Sequence, residues 1–348
     1  MGRLSVAVLG ASGMVGQRFC EMLSDHPFFD MPALFGSEKS GGRTMAEVIT
    51  IPEPRISSEL LSARISPLDA DSVIREDFDA VFSALPTSVA ASVEIGMMHR
   101  GARIFTNASP NRMRADVPLV VPEVNHEHLS IVSGRKGFIV ANGNCSSIGL
   151  AIGLKPLETL GLVSVEVTTM QALSGAGYPG VPSLDAAANI VPFIEAEEEK
   201  LSQEIPKMLG RLDGGAVTPS AVNVTATCTR VPVRDGHMES VSVEVGRETS
   251  VDEVSRLFAS FSSLPQELAL PSAPEKPVIY REERNRPQPI LDVNAGYPAR
   301  ARGMAATIGR LRVDGRRVRF IVLTHNTIRG AAGGSVLNAE ILRSKGVL

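Results

Sequence analysis

The stretch LSVAVLGASGMVG, residues 4–16, constrains the fold more than any other part of the chain. LSVAVL is mostly apolar and valine-rich and reads as a strand. Gly10, Gly13 and Gly16 follow at once, and QRFCEMLSDH continues with apolar residues at helical spacing. A strand, a glycine turn and a helix in direct succession open a doubly wound α/β domain. The glycines let the turn close tightly and let the backbone approach a pyrophosphate resting on the helix N-terminus. The spacing alone is weak, and its context makes it specific. Gly10, Ala11, Ser12, Gly13, Met14 and Val15 form the candidate cradle. The alternative is a tight turn that binds nothing.

The pattern continues with DMPALFG (30–36) and FDAVFSAL (78–85) as strands, a helix over 87–100, and ARIFTNAS (102–109) as another strand. Alternating strands and helices predict an N-terminal Rossmann-like, doubly wound parallel sheet. The second predicted strand ends in GSEKSGGR. Ser37, Lys39, Ser40 and Arg43 there can surround a 2′-phosphate, which favours NADP over NAD. Glu38 opposes this if it points inward, and a solvated polar loop is the plainer alternative.

After about residue 160 the texture changes. LVSVEVTTMQAL, AVNVTATCTRVPV and ESVSVEVG read as strands, and GMAATIGRLRVDGRRVRFIVLTHN reads as two strands across an Asp-Gly hairpin. This predicts a second α+β domain with a largely antiparallel sheet. Residues 182–209 read as mostly helical, the proline-rich 262–289 as an irregular excursion, and the last segment as a helix packing back on the first domain. The expected division is 1–144 with 327–348 for the nucleotide and 145–326 for catalysis and oligomerisation.

A chain of 348 residues with a net charge of −3 gives no reason to expect a nucleic-acid partner. Three cysteines make no disulfide framework and fit a reducing compartment. Glycines interrupt the N-terminal apolar run, and no stretch reaches membrane-spanning length. The expected location is cytoplasmic.

Cys145 lies in NGNCSSIGL, between a short apolar run, KGFIVA, and a segment of helical spacing. It therefore falls at a helix start, where free N–H groups and the dipole favour a thiolate. A thiol nucleophile needs an acid or base nearby. His26 reads as surface, His99 as a helix end, and His126 with His128 as a surface pair rather than a metal site. His325 reads either as core or as lining the cofactor site. His237, after the bend in RVPVRDGH, stands at a strand end, either in a site or on an exposed turn. Cys20 and Cys228 read as core.

NGNCSSIGL, QALSGAG, EEEK and RVPVRDGH occur in that order behind GASGMVG, and HNTIRGAAGGSVLNAE follows near the end. Together they resemble the aspartate-β-semialdehyde dehydrogenase family, in its archaeal and fungal branch, over nearly the whole chain. That resemblance implies NADPH-dependent reduction of β-aspartyl phosphate to aspartate semialdehyde and phosphate, in synthesis of lysine, threonine and methionine. It implies Cys145 as the nucleophile forming a thioester, His237 as acid/base and Gln171 orienting the acyl group. Arg230 would take the α-carboxylate, Glu197 the α-amino group, Lys200 and Arg112 the phosphate, and Asn326 the nicotinamide amide. The family implies a homodimer or homotetramer, and no metal is expected. Rival readings are malonyl-CoA reductase, the more distant N-acetylglutamyl-phosphate reductase, and a catalytically silent NADP-binding sensor.

Overall fold

The computed structural model describes residues 2–348. Its first sheet contains β1 (Val6–Leu9), β2 (Ala33–Gly36), β3 (Ser66–Pro67), β4 (Ala80–Ser83), β5 (Arg103–Thr106) and β6 (Phe138–Ala141), in the order β3-β2-β1-β4-β5-β6. Every pairing is parallel. Each residue of β1, β4 and β6 is buried, as expected for a parallel sheet covered on both faces.

The alternation along these strands builds two cores. Val6, Val8, Phe82 and Phe105 face α1 (Met14–Leu23) through Phe19 and Leu23. Ala7, Leu9, Val81 and Ile104 face the opposite way, toward Ala90 and Met97 of α2 (Thr87–His99). The C-terminal helix, with Val336, Leu337, Ile341 and Leu342, joins the α1 side, so the end of the chain does return to the first sheet.

Two further helices bridge to the second half: α3 (Cys145–Leu154) and α4 (Glu197–Met208). Their apolar residues, Ile148, Ile152, Leu201 and Ile205, share one core with Val165, Val241 and Phe320. The second sheet is built from β7 (Leu162–Gln171), then, beyond the small hairpin β8 (Arg211–Asp213) and β9 (Ala216–Thr218), from β10 (Asn223–Arg230), β11 (His237–Val245), β12 (Val278–Arg281), β13 (Ala306–Asp314) and β14 (Arg317–Thr324). Its order is β10-β7-β11-β14-β13-β12. The three inner pairings are antiparallel, while β10 and β12 join the edges in parallel.

Residues 182–209 are mostly helical, as expected, but in two pieces: a short turn, Ser183–Ala186, and α4. Ala188 and Ala196 between them adopt positive φ values of 53° and 58°, which interrupts a helix. The proline-rich segment is not wholly irregular, because it contains β12, an edge strand where prolines nearby cost no ladder bonds.

The inner face of the second sheet changes character along its strands. Val165, Val224, Val243 and Val318 sit at one level and are buried. Farther along, Arg230 lies opposite Gln171, and His237 opposite Thr324. Met170 pairs with Met238, so Gln171 and His237 end adjacent strands at the same level. The apolar end anchors the sheet under α3 and the polar end lies beside the start of that helix.

Candidate active site

Cys145 is the first residue of α3. Asn144 caps the helix: its Oδ1 accepts from the N–H groups of Ser146 and Ser147 at 3.0 and 3.4 Å, a cap worth about 1 kcal/mol. Its Nδ2 donates to both oxygens of Glu197 at 2.9 Å. A π-helical turn, Ile328–Ala332, brings Gly330 against the cysteine. A Cβ on Gly330 would lie 2.7 Å from that of Cys145, so only glycine fits.

Cys145 is half-buried at a cleft of about 200 Å³, whose walls include Arg112, Asn144, Gly175 and Asn326. Met14 and Val15 also line it, so the first turn of α1 reaches the same space. Burial and the Glu197 charge push the thiol up to about 12, against the pull of Arg112, Arg230 and the Ser146 N–H. The resting cysteine is therefore a thiol. This corrects the expectation of a ready thiolate, because the helix terminus and two arginines do not offset desolvation here.

His237 begins β11 and is fully buried. Its Nδ1 accepts from the Ala172 N–H at 3.1 Å, while Nε2 has no partner among the described residues. Burial, then Arg230 and His325, lower it to about 3, so it is neutral. Arg230 donates to the Ala172 carbonyl at 2.8 Å. Both side chains lie beneath Gly175, where a Cβ would come within 2.7 Å of the Arg230 guanidinium and 2.9 Å of the His237 ring. Asn326 ties this corner together, accepting from the Gly236 N–H and donating to the Ser174 hydroxyl.

Glu197 is buried. Besides Asn144 it accepts from Gln171 Nε2 at 3.2 Å and Lys200 Nζ at 2.8 Å. Arg112 is buried and its Nε has no partner, a free donor beside the cleft, whereas Arg114 is exposed and bound to Asp116. Sequence reading missed Glu204. It lies seven residues after Glu197 on the same face of α4, and it contacts both Arg112 and Asn144. The spacing was visible, but its partners come from distant segments.

At the other end, Gly10 has φ +76° and a Cβ on it would meet the Ala84 carbonyl at 2.7 Å. Ala11 and Gly10 both donate to the Phe35 carbonyl, which fixes the turn. Gly13 caps α1 without any side-chain bond, leaving no side chain across the helix end. These features fit a pyrophosphate at that N-terminus. Ser37 and Lys39 are exposed, as is Glu38, whereas Ser40 is buried and donates to the Ser37 carbonyl. Arg43 is exposed and bound to the Glu47 carbonyl.

Two histidines are not where the sequence suggested. His26 is buried, stacked on Phe29 and bonded to Glu340 at 3.0 Å. His128 is buried between Asn125 and the Gly210 carbonyl, while its neighbour His126 stays partly exposed. His325 is buried and faces a separate cleft of about 460 Å³, lined also by Arg18 and Arg302. That cleft is larger, but it contains none of Cys145, His237, Gln171 or Glu197, so chemistry and not size places the site.

A nucleotide-type parallel sheet meets a cysteine, a histidine and an arginine at the end of a second sheet. Those parts define a two-domain, dinucleotide-dependent oxidoreductase. Residues 5–132 match the family described as semialdehyde dehydrogenase, NAD binding domain, and residues 154–329 its dimerisation domain. The chain is 48% identical to an aspartate-semialdehyde dehydrogenase of Archaeoglobus fulgidus, over 98% of each chain. It is 36% identical to a malonyl CoA reductase (NADP) of Metallosphaera sedula, over 99% of this chain and 98% of the other. A crystal structure of aspartate semialdehyde dehydrogenase with NADP from Candida albicans superposes with a TM-score of 0.88 at 35% identity, covering 99% of this chain and all of that one. The chain belongs to the aspartate-semialdehyde dehydrogenase family.

Proposed function

We propose that this protein catalyses the NADPH-dependent reductive dephosphorylation of β-aspartyl phosphate to aspartate semialdehyde, through a thioester on Cys145, in supply of lysine, threonine and methionine. The observation that carries this reading is the set of charges around the thiol. Arg112 lines the Cys145 cleft, Glu197 is bonded to Asn144 in its wall, and Arg230 lies beneath Gly175 in the same wall. An acyl phosphate of an amino acid carries a carboxylate, an ammonium and a phosphate. An arginine fork suits the first, the Glu197 carboxylate the second, and Arg112 with Lys200 the third.

Bound NADPH supplies the hydride, and Gly10–Val15 with Ser37, Lys39 and Ser40 would hold it. Asn326 would lie near its amide. The protein's own part is to orient and to move protons. Gln171 fixes the acyl group beside Cys145. Nδ1 is occupied by the Ala172 N–H, so the His237 Nε2–H acts as the acid toward the developing oxyanion, and the proton of the Cys145 thiol leaves with the departing phosphate, released as hydrogen phosphate. An ammonium at Glu197 would cancel that charge's share in holding the thiol protonated, the smaller share beside burial. Residues 1–144 with 327–348 form the cofactor domain in this account, and 145–326 the catalytic one.

The second sheet also suggests a homodimer. Its outer face carries Glu166 on β7 in register with Ser242, Arg319 and Arg312. The two arginines lie directly opposite each other, an unfavourable pair unless an acid covers them. A two-fold axis through β11 would set Glu166 of one copy on the arginines of the other. Sedimentation at twice the chain mass is expected, and a monomer at micromolar concentration contradicts it. Three free cysteines suit the cytoplasm.

Malonyl-CoA is the second reading, favoured by the Metallosphaera relative. NADPH absorbance separates the two. Aspartate semialdehyde, phosphate and NADP+ go in one cuvette, malonyl-CoA and NADPH in another. Phosphate-dependent NADPH formation supports the first reading, and turnover only in the second cuvette replaces it.

A further inference from the structure

One face of α4 touches two separate parts of the site. Glu204 Oε1 accepts from Arg112 Nη1 at 2.8 Å, and Oε2 accepts from the Asn144 N–H at 2.6 Å. Both charged side chains are buried, 8% exposed for Arg112 and 3% for Glu204. The bond to Asn144 falls on the backbone of the capping residue, immediately before the cysteine. One turn farther, Lys207 Nζ donates to three carbonyls, those of Arg112, Arg114 and Val117, at 2.6, 2.8 and 3.0 Å. That lysine is buried. The loop carrying Arg112 is thus held by α4 through its backbone, and the Arg112 guanidinium through Glu204.

A buried carboxylate between two donors is costly to desolvate, and breaking such a pair by removing one partner leaves an uncompensated charge. For stability alone an apolar contact would serve as well. What the carboxylate adds is geometry. It fixes the Arg112 fork relative to the first turn of α3, so the anion site and the thiol cannot shift independently. The Asn107 carbonyl takes Nη2, and Nε is left free beside the cleft.

We propose that Glu204 is a positioning residue that couples Arg112 to the N-terminus of the Cys145 helix, and so sets the reactivity of the thiol. The inference rests on Cys145 being the reactive group and needs no particular substrate. It predicts a sign opposite to plain electrostatics. Removing a nearby negative charge would by itself favour the thiolate and speed alkylation. Removing the bridge loosens Arg112, whose charge favours the thiolate, and frays the helix cap, so alkylation slows.

The test is the rate of Cys145 alkylation by iodoacetamide at pH 8 without substrate, in the native enzyme, Glu204→Gln, Arg112→Ala and the double variant. NADP affinity serves as the check on folding. The expected result is at least threefold slower alkylation in Glu204→Gln, with the double variant no slower than the slower single one. Alkylation in Glu204→Gln that is unchanged or faster, or effects that multiply in the double variant, overturns the proposal. If Glu204→Gln loses NADP binding, Glu204→Asp replaces it, keeping the charge but reaching one methylene less. It too should slow alkylation, and a native rate overturns the proposal. A phosphate titration of turnover in the native enzyme tests the aspartyl phosphate reading separately, since the alkylation cycle contains no phosphate.

Discussion

His237 Nδ1 accepts a hydrogen bond from the Ala172 N–H at 3.1 Å, and this one contact fixes the role of the imidazole. A neutral ring whose Nδ1 is an acceptor carries its proton on Nε2. The ring is held neutral by burial. At rest its Nε2–H is a donor, and Cys145 is a thiol.

The first prediction follows for the thiol. With Cys145 pushed up to about 12, its alkylation by iodoacetamide should rise roughly tenfold per pH unit between pH 7 and 9. A rate that levels off near pH 7 would mean a thiolate already formed.

Gly175 carries a second prediction. Gly175→Ala puts a methyl group 2.7 Å from the Arg230 guanidinium and 2.9 Å from the His237 ring. Both side chains must move, and a displacement of about 1 Å costs on the order of 100-fold in kcat/KM. The melting temperature should change little, because the loop is at the surface of the cleft. Steady-state kinetics beside a thermal melt separate these, and native kinetics refute the packing argument.

Arg230→Lys should raise KM and lower kcat, with kcat/KM falling roughly 10- to 100-fold. A point charge cannot both hold the Ala172 carbonyl and present a fork to a carboxylate. Kinetics within a factor of two of native would remove Arg230 from substrate binding.

Glu239 gives a pH prediction. It is buried on the inner face, one pair of residues inward from His237, and neither oxygen has a partner among the described residues. Burial pushes it well above the usual carboxylate range. The folded chain therefore keeps a proton that the unfolded chain releases above about pH 4.5. That raised value costs stability as pH rises from there, by up to about 1.4 kcal/mol per unit until the folded group titrates. Glu239→Gln removes the cost. It should melt higher than native at pH 8, by about 3 °C or more, with the gap shrinking toward pH 5. A gap that is constant with pH would show that Glu239 is ionised in the folded state.

What was legible in the sequence was local. The glycine turn, the start of α3 at Cys145 and the strand start at His237 depend on capping, chain direction and periodicity within about ten residues. The parallel sheet followed from them. What was not legible depended on remote partners. His26 is buried because Glu340, near the opposite terminus, receives its Nε2. His128 is buried because the Gly210 carbonyl does the same. The strand β3 is only two exposed residues, Ser66 and Pro67, with no hydrophobic pattern to announce it. The protonation of Cys145 was misread because desolvation is a property of the whole site and not of the helix start.

The proposed reaction passes through a covalent acyl intermediate on Cys145. The direct measurement is mass spectrometry of enzyme quenched in acid after mixing with aspartate semialdehyde and NADP+ without phosphate. An aspartyl adduct is expected on the peptide containing Cys145, removed by hydroxylamine and absent in Cys145→Ser. A burst of NADPH with no adduct on that peptide would contradict it.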